Sequence, residues 1–157
     1  MYPFDISKPV VGKAKIEINK PVTCVFCFVG EKFFENYPKW ALEVAEFKPL
    51  SGTAIFVGAK AQQVRLEQGQ KVESVFEVSE FEPPQKMTLS GVGAPFRNTY
   101  HLSSCDDKNV TELEFSFEIM ELELFMRPFE KLIRMAIEEG AENTVTNIKN
   151  LLADTVQ

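Results

Sequence analysis

The stretch Thr111–Val156, TELEFSFEIMELELFMRPFEKLIRMAIEEGAENTVTNIKNLLADTV, decides the fold. It begins by alternating. Leu113, Phe115, Phe117 and Ile119 share one parity, and Glu112, Glu114, Ser116 and Glu118 share the other. That is a strand with one face on a core and the other in water. At Ile119–Met120 the parity changes: Met120, Leu122 and Leu124 become the apolar set, and Glu121 and Glu123 oppose them. A one-residue slip turns every side chain over, so the pattern predicts a bulge or sharp bend there, of the kind that curls a sheet. From Arg127 the period is helical. Phe129, Leu132, Ile133, Ala136, Ile137, Gly140, Ala141, Thr144, Val145, Ile148, Leu151 and Leu152 form one stripe, with Glu130, Arg134, Glu138, Glu142, Asn143, Lys149 and Asp154 opposite. The spacing predicts one long helix over Arg127–Val156, roughly 40 Å long, packed on a sheet.

Upstream, the period of two recurs in short runs separated by turn residues. Lys13–Asn19, Val44–Leu50, Ala59–Glu67, Val72–Phe81, Met87–Ser90 and Phe96–Leu102 read as strands. Ser51-Gly52, Gln68-Gly69-Gln70 and Asp106–Asn109 read as turns, and Pro83-Pro84 ends a strand because proline cannot donate to a ladder. Between the first two strands the period is helical again. Pro21 suits the first position of a helix carrying Val22, Val25, Phe26 and Val29, with Gly30 as its stop. A second short helix is expected over Glu31–Tyr37, ending at Pro38.

The composition bounds the function. A chain of 157 residues with 45% hydrophobic and 25% charged residues builds one ordinary domain with a core, and no repeat or linker divides residues 1–157. Fourteen phenylalanines against one tryptophan and three tyrosines must be buried or line a dry pocket. A net charge of −6 with no Lys/Arg cluster argues against nucleic acid and against an anionic membrane surface. The longest apolar run, Cys24–Val29, is far short of the roughly 20 residues of a spanning helix, so no integral membrane association is expected. The N-terminus carries no signal-peptide stretch and the cysteine count is odd, so a cytoplasmic protein with reduced thiols is expected.

One strand, two short helices, several antiparallel strands and one long helix is an order that resembles the START and Bet v 1-like (SRPBCC) superfamily, in its polyketide cyclase/dehydrase and lipid-transport branch. The resemblance runs from about Ala14 to Leu152. Ile16–Val22 is similar to that family's strand running into a proline-started helix, and Trp40 to the tryptophan after its second short helix. Val57-Gly58 resembles a strand entry, Glu82-Pro83-Pro84 an acidic-proline turn, and Val110–Leu113 a glycine-threonine strand entry in which Val110 replaces the glycine. Ser103-Ser104 lacks the proline often found before that hairpin. The resemblance implies an α+β helix-grip fold: a curved antiparallel sheet wrapped around the C-terminal helix, with an apolar cavity between them. It implies a small hydrophobic ligand (lipid, polyketide, isoprenoid or aromatic) and no shared catalytic set.

With that fold, Phe34, Trp40, Phe76, Leu89, Tyr100, Phe115, Phe117, Ile133 and Ile137 are candidates to line the cavity, each equally able to serve as core. Tyr100 shares parity with Phe96, Asn98 and Leu102, so it points inward and its hydroxyl needs a partner, either a core group or a ligand. Gly140 interrupts the helix stripe at a cost of about 1 kcal/mol relative to alanine. Either the helix approaches a strand closely there, or space is kept for a ligand. Cys24-Val25-Phe26-Cys27 lacks the βαβ surround of a redox motif and the four ligands of a zinc site, so it reads as small buried residues; no metal and no cofactor is expected. His101, the only histidine, falls on the opposite face from Tyr100. Glu112, Glu114 and Glu118 read as a solvated face, whereas the register change could carry Glu121 or Glu123 to the cavity mouth. Gly91-Val92-Gly93 lacks the residues of a phosphate loop. Three readings stand: a binding module for a hydrophobic molecule, a cyclase, dehydratase or isomerase using a cavity Tyr or Glu for proton transfer, and an interaction domain with a closed core.

Overall fold

A computed structural model describes residues 8–153. Seven strands form one antiparallel sheet: β1 (Val10–Ile18), β2 (Val44–Pro49), β3 (Lys60–Glu67), β4 (Gln70–Glu82), β5 (Lys86–Gly91), β6 (Phe96–Ser104) and β7 (Thr111–Ile119). Their order across the sheet is β1-β7-β6-β5-β4-β3-β2, which puts β1 beside the last strand and leaves β1 and β2 as the edges. The sheet is curved and carries the long helix on one face, which is the helix-grip arrangement expected from the sequence. Helices α1 (Val22–Phe26) and α2 (Phe33–Trp40) lie between β1 and β2, and α3 (Glu130–Ala153) follows β7.

The alternation in β6 and β7 sorts as the pattern dictates. Asn98, Tyr100, Leu102, Leu113 and Phe115 are buried on the concave face, while His101 is exposed and Glu112, Glu114 and Glu118 are half-buried on the other. Tyr100 pairs with Phe115 and Asn98 with Phe117 across the two strands. On the convex face, Arg97 meets its cross-strand partner Glu118 through two parallel hydrogen bonds, Nε to Oε1 at 3.1 Å and Nη2 to Oε2 at 3.0 Å. The β3–β4 hairpin turns on Gln68 and Gly69, both at positive φ (51° and 79°), the backbone that two-residue hairpins demand.

Several local expectations are corrected. β7 pairs with β1 in unbroken register to Val10↔Ile119 and the chain bends at Met120, so of the two expected features the parity change marks a bend that ends the strand and not a bulge; register shifts occur at Val44/Glu46 and Val78/Glu80. Beyond Ile119 the chain enters a 3-10 turn over Leu124–Phe129, and the α-helix starts at Glu130 instead of Arg127. Pro128 has no N–H to give an α-helical ladder, which fits a start just beyond it. Arg127 is buried and does other work, donating from Nη1 to Glu130 at 2.6 Å and from Nη2 to the Lys8 carbonyl at 3.1 Å. The end of the expected helix, residues 154–156, lies outside the described residues.

The first short helix does not run to Gly30. After Phe26 the backbone widens into a π turn over Cys27–Glu31. Gly30 is no left-handed stop: a Cβ there would lie 2.6 Å from the Phe26 ring, so the glycine makes room for that ring. Pro38 sits inside α2 instead of ending it, because the helix needs only two more residues and closes with Ala41 N–H on the Tyr37 carbonyl at 3.0 Å.

Phe33, at the start of α2, sits in the middle of the aromatic core. Six rings surround it (Phe34, Tyr37, Trp40, Phe47, Phe76 and Tyr100) at centroid distances from 4.8 to 6.5 Å. The other half of the core lies under α3, whose buried side chains Ala141, Val145, Ile148 and Leu152 recur at helical spacing in its C-terminal half. The apolar stripe is wider than this buried line. Phe129, the last residue of the 3-10 turn, and Leu132, in the first turn of α3, are 52% and 65% exposed. α3 packs chiefly on β1, where Gly12 offers no side chain.

Candidate functional site

Between the concave face of the sheet and α3 lies a pocket of about 380 Å³. Each wall has a source in the pattern of one element. β6 and β7 contribute Asn98, Tyr100, Phe115 and Phe117 by their inward parity. α2 contributes Tyr37 and Trp40, three residues apart on its buried face, followed by Ala41 and Glu43. β3 supplies Arg65 and Glu67 at the rim. α3 closes the space with Ala136, Ile137, Gly140, Ala141 and Thr144, one face of about two turns.

Five of the nine candidate lining residues, Trp40, Tyr100, Phe115, Phe117 and Ile137, are brought together here. Phe34 and Phe76 are buried in the aromatic cluster around Phe33, Leu89 is buried on β5, and Ile133 is half-buried on α3; these four do not line the pocket. A Cβ added at Gly140 would meet nothing within 4 Å. The helix therefore makes no close approach to a strand at Gly140, which is exposed at the edge of the pocket.

The polar groups divide into satisfied and open ones. Tyr37 donates its hydroxyl to Gln63 Oε1 at 2.8 Å, and Thr144 donates to the Gly140 carbonyl at 2.9 Å. Trp40 is pinned twice. Its indole Nε1 donates to the Tyr100 hydroxyl at 3.2 Å, and its carbonyl accepts from Asn147 Nδ2 of α3 at 3.0 Å. At the rim Arg65 lies between two acids, with Nη2 2.9 Å from Glu43 and Nε 3.3 Å from Glu67, the second without hydrogen-bond geometry. Asn98 differs: it is buried, and its Oδ1 has no hydrogen-bond partner among the described residues.

Sequence reasoning missed Tyr37, Glu43, Arg65, Glu67 and Asn98. Asn98 left a signal, an amide on a parity otherwise occupied by Phe96, Tyr100 and Leu102. The meeting of Glu43 with Arg65 left none, because it depends on β2 pairing with β3, where Val44 stands opposite Arg65. Glu121 and Glu123 are exposed and away from the pocket, so the acids at its mouth come from Glu43 and Glu67 instead. Among the described residues no three His, Cys, Asp or Glu side chains gather as a metal site. Cys24 and Cys27 are half-buried on α1 and the π turn. No described helix is long and apolar enough to cross a membrane.

Burial pushes the Tyr37 hydroxyl up to about 12, and the Tyr100 hydroxyl well above the ordinary tyrosine value, also through burial first. Both therefore act as neutral hydroxyls. An unfolded chain ionises its tyrosines near pH ~10, where the folded chain does not. The stabilising difference is thus present in full below pH ~10 and is lost as pH rises through the folded values. Stability should fall above pH ~10 by about 1.4 kcal/mol per pH unit for each of the two hydroxyls. Urea unfolding at pH ~9 and ~11 measures this; equal midpoints would show that neither hydroxyl is held in its neutral form.

No protein-family model matches the chain, and no curated protein matches it by sequence. Solved structures do. A protein from Thermus thermophilus is similar at TM-score 0.73 and 16% identity over 92% of this chain and 99% of that one. Norcoclaurine synthase from Thalictrum flavum, solved in complex with dopamine and hydroxybenzaldehyde, is similar at TM-score 0.72 and 10% identity over 95% of this chain and 89% of its own. Ara h 8.0201 follows at TM-score 0.69 and 12% identity, covering 94% of this chain and 99% of its own. At these identities the likeness establishes a shared fold.

Proposed function

We propose that this chain, which has the helix-grip fold of the START and Bet v 1-like superfamily, binds a small hydrophobic molecule in the pocket between its sheet and α3. The observation that carries the reading is the pocket itself: about 380 Å³, at the compact end of the range for small-molecule sites, walled by Trp40, Tyr100, Phe115, Phe117 and Ile137 with few open polar groups. Gly140 supports it, since an ordinary helix residue there would narrow the space at no steric cost and would favour the helix. A closed interaction domain accounts for neither feature. The proton-transfer alternative needs a pocket Tyr or Glu: burial holds the Tyr100 hydroxyl neutral and it already accepts from Trp40, which suits a positioning donor better than a base, while Glu43 and Glu67 at the rim are paired with Arg65.

The test is native mass spectrometry of freshly purified protein, with any bound compound identified after denaturation. A discrete small-molecule adduct is expected on the wild-type chain and is expected to be lost in Gly140→Leu, which fills the pocket from a position with free space around it. An adduct that persists unchanged in Gly140→Leu would place the ligand elsewhere.

A further inference from the structure

We propose that Asn98 and Tyr100 form a polar recognition pair on β6 which selects an uncharged ring compound carrying a hydroxyl, and that the rim rejects anionic ligands. This deepens the pocket reading and rests on it.

Most of the hydrogen-bonding capacity on the pocket wall is already used. Tyr37 and Thr144 spend their protons on Gln63 and on the Gly140 carbonyl, and the Trp40 indole spends its own on Tyr100. Besides Arg65 Nε at the rim, which faces Glu67 at 3.3 Å, two capacities remain on the pocket wall. Asn98 Oδ1 is a buried acceptor without a partner. The Tyr100 hydroxyl accepts from Trp40, but its own proton has no acceptor among the described residues. The two residues are two apart on one strand, so their side chains leave the same face, separated by about 6–7 Å along it. Buried polar groups are almost always satisfied, and an orphaned acceptor in an otherwise apolar pocket calls for a donor on the ligand. Phe115 and Phe117, the cross-strand partners of Tyr100 and Asn98, set apolar faces directly beside both groups. A ring bearing a hydroxyl meets both demands: the ring covers the phenylalanines and the hydroxyl donates to Asn98.

The charge at the rim excludes the other common amphiphiles. One guanidinium, Arg65, stands between two carboxylates, Glu43 and Glu67, so its charge is already matched and one negative charge is in excess. A carboxylate-headed lipid would have to displace one of those acids in a chain of net charge −6.

The test uses three probes on the full chain by isothermal titration calorimetry at neutral pH: β-naphthol, its methyl ether and β-naphthoate. They share a ring system and differ in donor and charge. β-Naphthol is expected to bind roughly tenfold more tightly than the ether, the worth of one neutral hydrogen bond to a buried acceptor, and naphthoate more weakly than both. In Asn98→Leu the naphthol advantage is expected to shrink to within about twofold while the ether still binds, which also proves the variant folded. Equal affinity of naphthol and ether for the wild-type chain, or naphthoate as the tightest of the three, overturns the recognition pair and leaves the pocket standing. No binding by any of the three up to the solubility limit overturns the pocket reading and this inference together.

Discussion

Phe33→Ala is expected to cost about 3–5 kcal/mol of folding free energy, measured by urea denaturation of the purified variant. The magnitude follows from position. Phe33 is completely buried, and its ring contacts those of Phe34, Tyr37, Trp40, Phe47, Phe76 and Tyr100. These six rings come from α2, β2, β4 and β6, so the cavity left by truncation cannot be closed by moving one element. A domain of this size has about 5–15 kcal/mol in all, so the variant stands near the edge of folding. The loss should also reach the site. Trp40 and Tyr100 both touch Phe33 and both line the pocket, so the Trp40 emission spectrum should shift even where the chain stays folded. Phe33→Leu keeps most of the volume and should recover about half the loss. A cost under about 1 kcal/mol for Phe33→Ala would mean that the ring cluster repacks freely and does not hold the pocket wall.

The same ring explains what was legible in the sequence and what was not. Period-two runs with turn residues between them yield the strands, because parity is a direct consequence of backbone geometry. The long stripe yields α3 for the same reason. Parity says which face a side chain leaves from, and it is silent on depth. Phe76 and Leu89 have the inward parity of Tyr100, yet they lie in the core, where α1, α2 and the π turn fill the concavity. Tyr100, Phe115 and Phe117 lie where α3 leaves a gap. That difference depends on how far α3 stands off the sheet, which no local pattern encodes. Charge pairing at the rim is hidden likewise: Glu43 and Arg65 are neighbours only because β2 pairs with β3. The parity change at Met120 pointed to a bulge or a sharp bend, which produce the same string, and it is the bend that the chain makes there. Asn98 is the exception. An amide set among inward apolar residues is visible in the sequence, and its meaning becomes clear only once its neighbours are found to offer it no partner.

Gly12 sets the distance between α3 and the sheet, and replacing it should destabilise the chain in proportion to the side chain added. A Cβ at Gly12 would lie 2.6 Å from Ile137 Cγ1, 2.7 Å from the Glu138 nitrogen and 2.8 Å from the Ile137 carbonyl carbon. The first contact could be relieved by rotating Ile137. The other two are backbone atoms of α3, and no rotamer moves them. The structure has two ways out. α3 can lift from β1, opening the pocket at Ile137 and loosening the buried line of Ala141, Val145 and Ile148. Alternatively β1, an edge strand, can move outward and strain its ladder with β7, in which Gly12 pairs with Phe117. Both routes cost burial. Gly12→Ala should lose about 1–3 kcal/mol, and Gly12→Val more, with a fall in Tm of roughly 2–4 °C for each kcal/mol in a chain of this size. Gly140→Ala is the opposite case on the same helix. Its added methyl meets nothing within 4 Å, so the variant should gain up to about 1 kcal/mol from helix propensity. Differential scanning calorimetry of the two alanine variants should therefore show shifts of opposite sign. If Gly12→Ala is neutral, α3 does not press on β1 at this point, and the height of the pocket is set by Trp40 and Asn147 instead.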